Sequence, residues 1–395
     1  MAPVIERHVY FDHSATTPVD PEVVEAMLPF FTGTFGNASS IHSFGQKAKV
    51  AIEDARRQVA GLIGAEPSEV VFTSCGTEAD NWAIKGSAYF FEGKKKHLIT
   101  SMVEHHAVLF TCNYLHQHGF DVTYLPVDKF GMVSPASVAE AIREDTFLVS
   151  VMHANNEVGT INPVQEIGAV CRERGVLFHT DAVQTVGKLP IAVHDMNVDL
   201  LSLSGHKFYG PKGVGALFMR RGLQLGKLIH GGHQERDRRA GTENVAGAVG
   251  LGKAAELCQT RLDEDERRLA KLSGDLFSKL REAISGVYLN GHESQRLPGI
   301  LNISFDGVAN DSLMQNLDLK GIAVSGGSAC NSGMAETSHV LNAMGLPMNL
   351  MVSAIRFSLG RSNSEEEIDY TVPALREIVE RLRGMNKGKK VLTAP

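Results

Sequence analysis

The chain has 395 residues, 43% hydrophobic and 21% charged, with a formal net charge of -6. That length exceeds what one simple core fills and points to two domains, and the mildly acidic balance gives no general attraction for nucleic acid or anionic lipid. No apolar run approaches a membrane span, the first residues lack the apolar stretch of a signal peptide, and five widely spaced cysteines argue against a disulfide framework and for a reducing, cytoplasmic setting.

Apolar, β-branched runs alternate with longer amphipathic stretches through the first 250 residues. Strands are expected at 69–73, 97–101, 121–126, 147–153, 176–181, 200–204 and 215–219, with helices at 46–63, 78–91, 107–118, 134–143 and 164–174. The alternation predicts an α/β fold, a mainly parallel seven-stranded sheet covered by helices. The pattern then changes to a long charged helix over 254–284, strands at 300–305 and 322–324, a helix over 365–381 and a Lys/Gly-rich tail. This reads as a large domain over residues 17–255 and a smaller α+β domain over 1–16 and 256–395.

Ser202-Leu203-Ser204-Gly205-His206-Lys207 ends an apolar strand and enters a Gly/Pro-rich turn. Ligands of open α/β sheets bind outside the carboxyl ends of the strands, and a partly desolvated lysine there can react as a neutral amine with a carbonyl. By itself Lys207 also fits a surface turn, as Lys212 does. Phe178-His179-Thr180-Asp181-Ala182-Val183-Gln184 supplies what a lysine-bound pyridoxal 5′-phosphate (PLP) needs: a carboxylate to keep the pyridine nitrogen protonated and an amide for the ring hydroxyl. Asp181 reads equally as a helix N-cap. Thr73-Ser74-Cys75-Gly76-Thr77-Glu78 joins a strand to a helix, which makes either an anion site or an ordinary capped helix start. Ser204 and His206 add donors beside Lys207. Glu104-His105-His106 and Asn155-Asn156-Glu157 close two further strands and offer an imidazole to stack on a flat cofactor and an amide to bond it. Cys330 lies in the Gly/Ser-rich run Ser325-Gly326-Gly327-Ser328-Ala329, while Cys112, Cys171 and Cys258 fall in helical patterns and read as inert thiols.

In their order and spacing these motifs resemble the cysteine desulfurases of the NifS/IscS type, in the fold-type I, class V aminotransferase-like superfamily of PLP enzymes. The likeness runs from Tyr10-Phe11-Asp12-His13-Ser14-Ala15-Thr16-Thr17-Pro18 to Ile355-Arg356-Phe357-Ser358-Leu359-Gly360-Arg361. It implies PLP on Lys207 as a Schiff base, Asp181 at the pyridine nitrogen, Gln184 at the ring hydroxyl, His105 stacked on the ring and active in proton transfer, and Asn156 in contact with the cofactor. Gly76, Thr77, Ser204 and His206 form the implied phosphate cradle. Thr242 reaches the phosphate in the partner subunit of a homodimer. Arg356 and Asn37 serve the substrate side, and Cys330, on a mobile loop, is the nucleophile. The implied reaction converts L-cysteine to L-alanine and a Cys330 persulfide, with no resident metal, for delivery to an iron–sulfur scaffold or another acceptor protein. The alternative is a selenocysteine lyase or another aminotransferase-like PLP enzyme.

Overall fold

The structure, a computed structural model, describes residues 8–326 and 337–392. Seven strands form the main sheet. Val70–Thr73 lies at one edge, followed by Gly215–Met219, Leu200–Ser204, Leu177–Asp181, Thr146–Ser150, His97–Ser101 and, at the other edge, Asp121–Leu125. Gly215–Met219 runs antiparallel to both neighbours and the other pairings are parallel. The strands are short and mostly buried on both faces, as expected of a sheet sandwiched between helices. On one face, helix Gly76–Phe91 packs Trp82, Ala83 and Ile84 with Cys112 and Leu115 of helix His106–Gln117. On the other, helices Ser43–Ile63 and Val164–Arg174 bury Ile52, Val59, Ile167 and Cys171.

The long helix Val245–Ala283 begins nine residues before the charged segment that marks it in the sequence. The Asn244 side chain caps it by accepting from the Gly247 amide. Its first turns are glycine-rich, which lowers helix propensity but permits close packing. A Cβ on Gly252 would lie 2.6 Å from Ala55 Cα, and one on Gly250 2.6 Å from Met27 Sδ. Leu251, Ala254, Leu257 and Cys258 belong to the core under the main sheet, whereas Leu269, Leu272, Leu276 and Leu280 join a second core. The helix therefore runs through both cores, and the expected division at residue 255 falls inside it.

The second core lies under a three-stranded antiparallel sheet in the order Ala354–Ser358, Ile300–Phe305, Val287–Asn290, covered by helices Asn310–Asp318 and Glu365–Leu392. Two of these strands escape the sequence reading. The last helix also continues beyond its expected end at 381 into the Lys/Gly-rich tail, as far as Leu392. Val9–Tyr10 pairs in parallel with Ile322–Ala323, so the chain start is tied to the second core. No helix among the described residues is long and apolar enough to cross a membrane.

Candidate active site

The parallel strands and the edge strand Val70–Thr73 end on the same side of the sheet, and a cavity of about 300 Å³ opens there. Each strand end delivers part of its wall: Gly76 and Thr77 after Thr73, His105 and His106 after Ser101, Asn156 and Glu157 beyond Ser150, then Asp181, Ser204, and Lys207 in the short turn Gly205–Lys207. Gln184, His206, Arg356 and the Ser14–Ala15 segment complete it, with Asp80 on the helix that starts at Gly76. This is where binding sites form in open α/β sheets.

Lys207 Nζ donates to the carbonyls of Ser14 (2.6 Å) and Ala15 (2.9 Å). Asp181 is 6% exposed and its Oδ1 accepts from the Val183 amide at 2.9 Å. Burial pushes its carboxyl up to about 6, against the Val183 hydrogen bond and Lys207, which pull it down. Asp80 is buried beside it and is pushed well above the usual carboxylate range, by burial first and then by the charge of Asp181. The two cannot both ionise cheaply. Asp181 carries the charge and Asp80 keeps its proton.

His105 caps the helix His106–Gln117 by accepting from the Ala107 amide at Nδ1, 3.1 Å. An accepting Nδ1 places the hydrogen of the neutral ring on Nε2. Burial and then Lys207 push this imidazole down to about 4, so it is neutral at physiological pH. His206 is also pushed down to about 4, by burial and Lys207, and its Nδ1 lies 3.1 Å from Thr16 Oγ1. The two asparagines divide their work. Asn155 is buried and structural, its Oδ1 accepting from the amides of Glu157 and Val158, while Asn156 lines the cavity and its carbonyl accepts from Arg356 Nη1 at 2.9 Å. Arg356 Nη2 donates to Asp12 Oδ1 at 2.8 Å.

Residues 9–371 match the family model described as aminotransferase class-V. The chain belongs to this family. The cysteine desulfurase IscS of Dictyoglomus turgidum is 51% identical over 386 residues, covering 98% of this chain and 98% of that one. A solved NifS-like protein superposes with a TM-score of 0.90 at 42% identity, over 95% of this chain and 100% of its own. The structure titled SspA in complex with cysteine superposes with a TM-score of 0.81 at 42% identity, over 90% of this chain and 100% of its own.

The class-V family is PLP-dependent, and the cavity fits that cofactor on its own evidence. Ser204 Oγ, Asp80 Oδ1 and Arg356 Nε are buried with no hydrogen-bond partner among the described residues, and all three residues line the cavity. Buried polar atoms left in this way at a cavity wall suit a bound polar group. The helix Gly76–Phe91 starts at the wall with no side-chain cap, leaving first-turn N–H groups for an anion. Gly76 is required there: a Cβ would lie 2.6 Å from Val183 Cγ2.

The thirteen residues singled out in the sequence fall into three groups. Lys207, Asp181, Gln184, His105, Asn156, Gly76, Thr77, Ser204, His206 and Arg356 share the cavity, and Cys330 lies outside the described residues. Asn37 and Thr242 do not line it. Asn37 sits on an exposed loop with its Oδ1 accepting from the Ser39 amide, and Thr242 lines a separate cavity with Arg239 and Glu235. Asp80, Ser14 and His339 are wall residues that the sequence reading passed over. Asp80 follows Gly76 by one helical turn, a spacing that puts both on one face. Nothing local marks His339, which is brought in from the second core's side of the chain.

Proposed function

We propose that this chain is a PLP-dependent cysteine desulfurase: it takes sulfur from L-cysteine, releases L-alanine and holds the sulfur as a persulfide on Cys330. The observation that carries the reading is a single cavity holding Lys207, Asp181, Gln184 and His105 together with donors of Ser204 and Arg356 that have no partner among the described residues.

Lys207 would hold the cofactor through its side-chain nitrogen, with Ser204, His206, Thr77 and the amides after Gly76 around its phosphate. When bound, PLP supplies an electron sink for the substrate's α-carbon. Asp181, the charged member of its carboxyl pair, holds a proton at the pyridine nitrogen. Neutral His105 offers Nε2–H to the cavity and can relay a proton there. Arg356 takes the substrate carboxylate with Nε and the guanidinium face not committed to Asp12 and Asn156, a planar match that lysine lacks. Asn37 is assigned to the substrate side on resemblance.

Cys330 as thiolate attacks the substrate sulfur. An S–S bond forms, the C–S bond breaks, its electron pair stays with the substrate carbon, and protonation gives alanine. Cys75 lines the cavity wall itself, and the three remaining thiols are withdrawn from this role. Burial pushes Cys112 and Cys258 up and Cys171 to about 12, so these three stay protonated. The protein works as a cytoplasmic homodimer in which Thr242 reaches the PLP phosphate across the subunit boundary, and it hands sulfur to an iron–sulfur scaffold or similar acceptor.

The test is incubation with L-cysteine, measuring alanine and, after reductant, sulfide, with mass spectrometry of Cys330 before reductant is added. The expected result is a gain of one sulfur on Cys330 and alanine matching sulfide. Cys330→Ala should lose the protein persulfide, and its formation at the normal rate in that variant would reject the nucleophile. Lys207→Ala should lose the visible absorbance of bound PLP; an unchanged spectrum would reject Lys207.

A further inference from the structure

Lys188 is a partly buried lysine that the proposed function does not use. It follows Gln184 by four residues in a helical turn closed by Thr185 N and Val186 N donating to Ala182 O, and Lys188 N to Thr185 O. Gly187 fixes where its stem begins: the backbone is at φ +76°, and a Cβ there would lie 2.8 Å from Phe208 Cβ and 2.9 Å from Cys258 Sγ. The side chain is partly buried, lining a small cavity with His13, Ser14, Asp265 and Glu266. Among the described residues it forms no ion pair, and its one hydrogen bond goes from Nζ to Gln184 Oε1 at 3.2 Å. An interior lysine without a carboxylate costs stability, so its retention needs a reason.

The reason lies at the other end of the Gln184 amide. Gln184 Nε2 donates to the Ser14 carbonyl at 3.0 Å, the same oxygen that accepts from Lys207 Nζ at 2.6 Å. An ammonium can only donate and a carbonyl can only accept, so the two contacts specify the same amide orientation. Turning the amide over would set its NH2 against the ammonium and its oxygen against a carbonyl. With Oε1 held by Lys188 and one N–H held by Ser14, the second N–H is left for the cavity that Gln184 lines.

We propose that Lys188 is a positioning residue for Gln184, clamping the amide oxygen so that an N–H donor, and not an acceptor, is presented to the cofactor. This rests on the PLP reading and gives Gln184 its chemical sense: a donor there favours an anionic ring oxygen. The charged and titratable groups around Lys188 are Lys207, Arg356, His13, His206 and Cys258, with Asp265 and Glu266 across the small cavity. Burial, then Lys207 and Arg356, pushes the amine down to about 7, so the clamp is strongest below neutrality.

The test is a pH titration of the visible absorbance of PLP-loaded full-length protein without cysteine, for wild type, Lys188→Met, Lys188→Leu and Lys188→Arg, and for Lys188→Met and Lys188→Leu combined with Gln184→Ala. Removing the clamp should raise the midpoint by about one pH unit, the size of effect one nearby charge or fixed donor exerts. Lys188→Arg, still a pure donor, should stay near wild type. In the Gln184→Ala background the Lys188 changes should add nothing, because the effect travels through the amide. A Lys188→Met or Lys188→Leu protein that titrates like wild type overturns the proposal, and so does a shift that persists undiminished without Gln184, which would make Lys188 a charge acting directly. The leucine variant carries the test if the methionine variant does not fold. Absence of any visible band in loaded wild type would instead sink the PLP reading itself.

Discussion

Arg56 and Arg356 are buried to nearly the same degree, 3% and 2% exposed, and they are built for different ends. Arg56 has every arm engaged: Nε with Glu53 (3.1 Å), Nη1 with the Val70 carbonyl (2.9 Å) and Glu235 Oε2 (2.6 Å), and Nη2 with Glu235 Oε1 (2.8 Å). Glu235 also accepts from the Phe72 amide. The clamp ties helix Ser43–Ile63 and strand Val70–Thr73 to a loop in which Glu235, Arg236 and Asp237 all take positive φ, 46°, 58° and 65°. Each such residue costs about 1–2 kcal/mol outside glycine, and the bidentate pair holds the strained turn in place. Arg356 leaves Nε without a partner among the described residues, at a cavity wall. Burial alone does not separate a structural arginine from a binding one; what separates them is whether the donors are all engaged.

The contrast can be broken most directly at Arg56. Arg56→Ala strands Glu235 in the interior and should lower the unfolding free energy by about 3–5 kcal/mol, read from urea denaturation. A loss under about 1 kcal/mol would show that the clamp does not carry the loop. Arg356→Lys should leave that free energy close to wild type while raising KM for cysteine by about 10- to 100-fold, the worth of one charged, bidentate hydrogen-bonded contact. A large stability loss with unchanged KM would make Arg356 a second Arg56.

The smallest effect per residue concerns acid. Burial pushes His153 and His13 down to about 4 and His179 to about 3, from an ordinary value of 6.5. A base depressed on folding binds protons more readily when unfolded. The stability these histidines allow is therefore full above about pH 6.5 and falls as pH drops toward 4, by roughly 1 kcal/mol for each by about pH 5.5. Denaturation midpoints that stay flat from pH 7 to 5.5 would contradict this.

The main sheet was legible because its strands are apolar, β-branched and separated by amphipathic helices; all seven appear within a few residues of their expected ends. The smaller sheet was harder. Ala354–Ser358 carries Arg356 at its centre, and a buried arginine interrupts the apolar pattern that marks a strand. Among site residues, those that follow strand ends were readable from motifs. Asp80, Ser14 and His339 were not, since their place on the cavity wall depends on which elements pack beside one another.

Hydrophobic periodicity and turn chemistry in the sequence were enough to set the strand–helix alternation, the apolar faces that must be buried, and the delivery of Lys207, Asp181, His105 and Gly76 at strand ends. These are local properties of the chain. Only the tertiary structure decided which donors were left over. Whether Arg356 Nε or Ser204 Oγ meets a protein acceptor, and which end of the Gln184 amide Lys188 holds, depends on contacts between residues far apart in the chain. Their energies come from geometry and local dielectric, which no sequence pattern encodes.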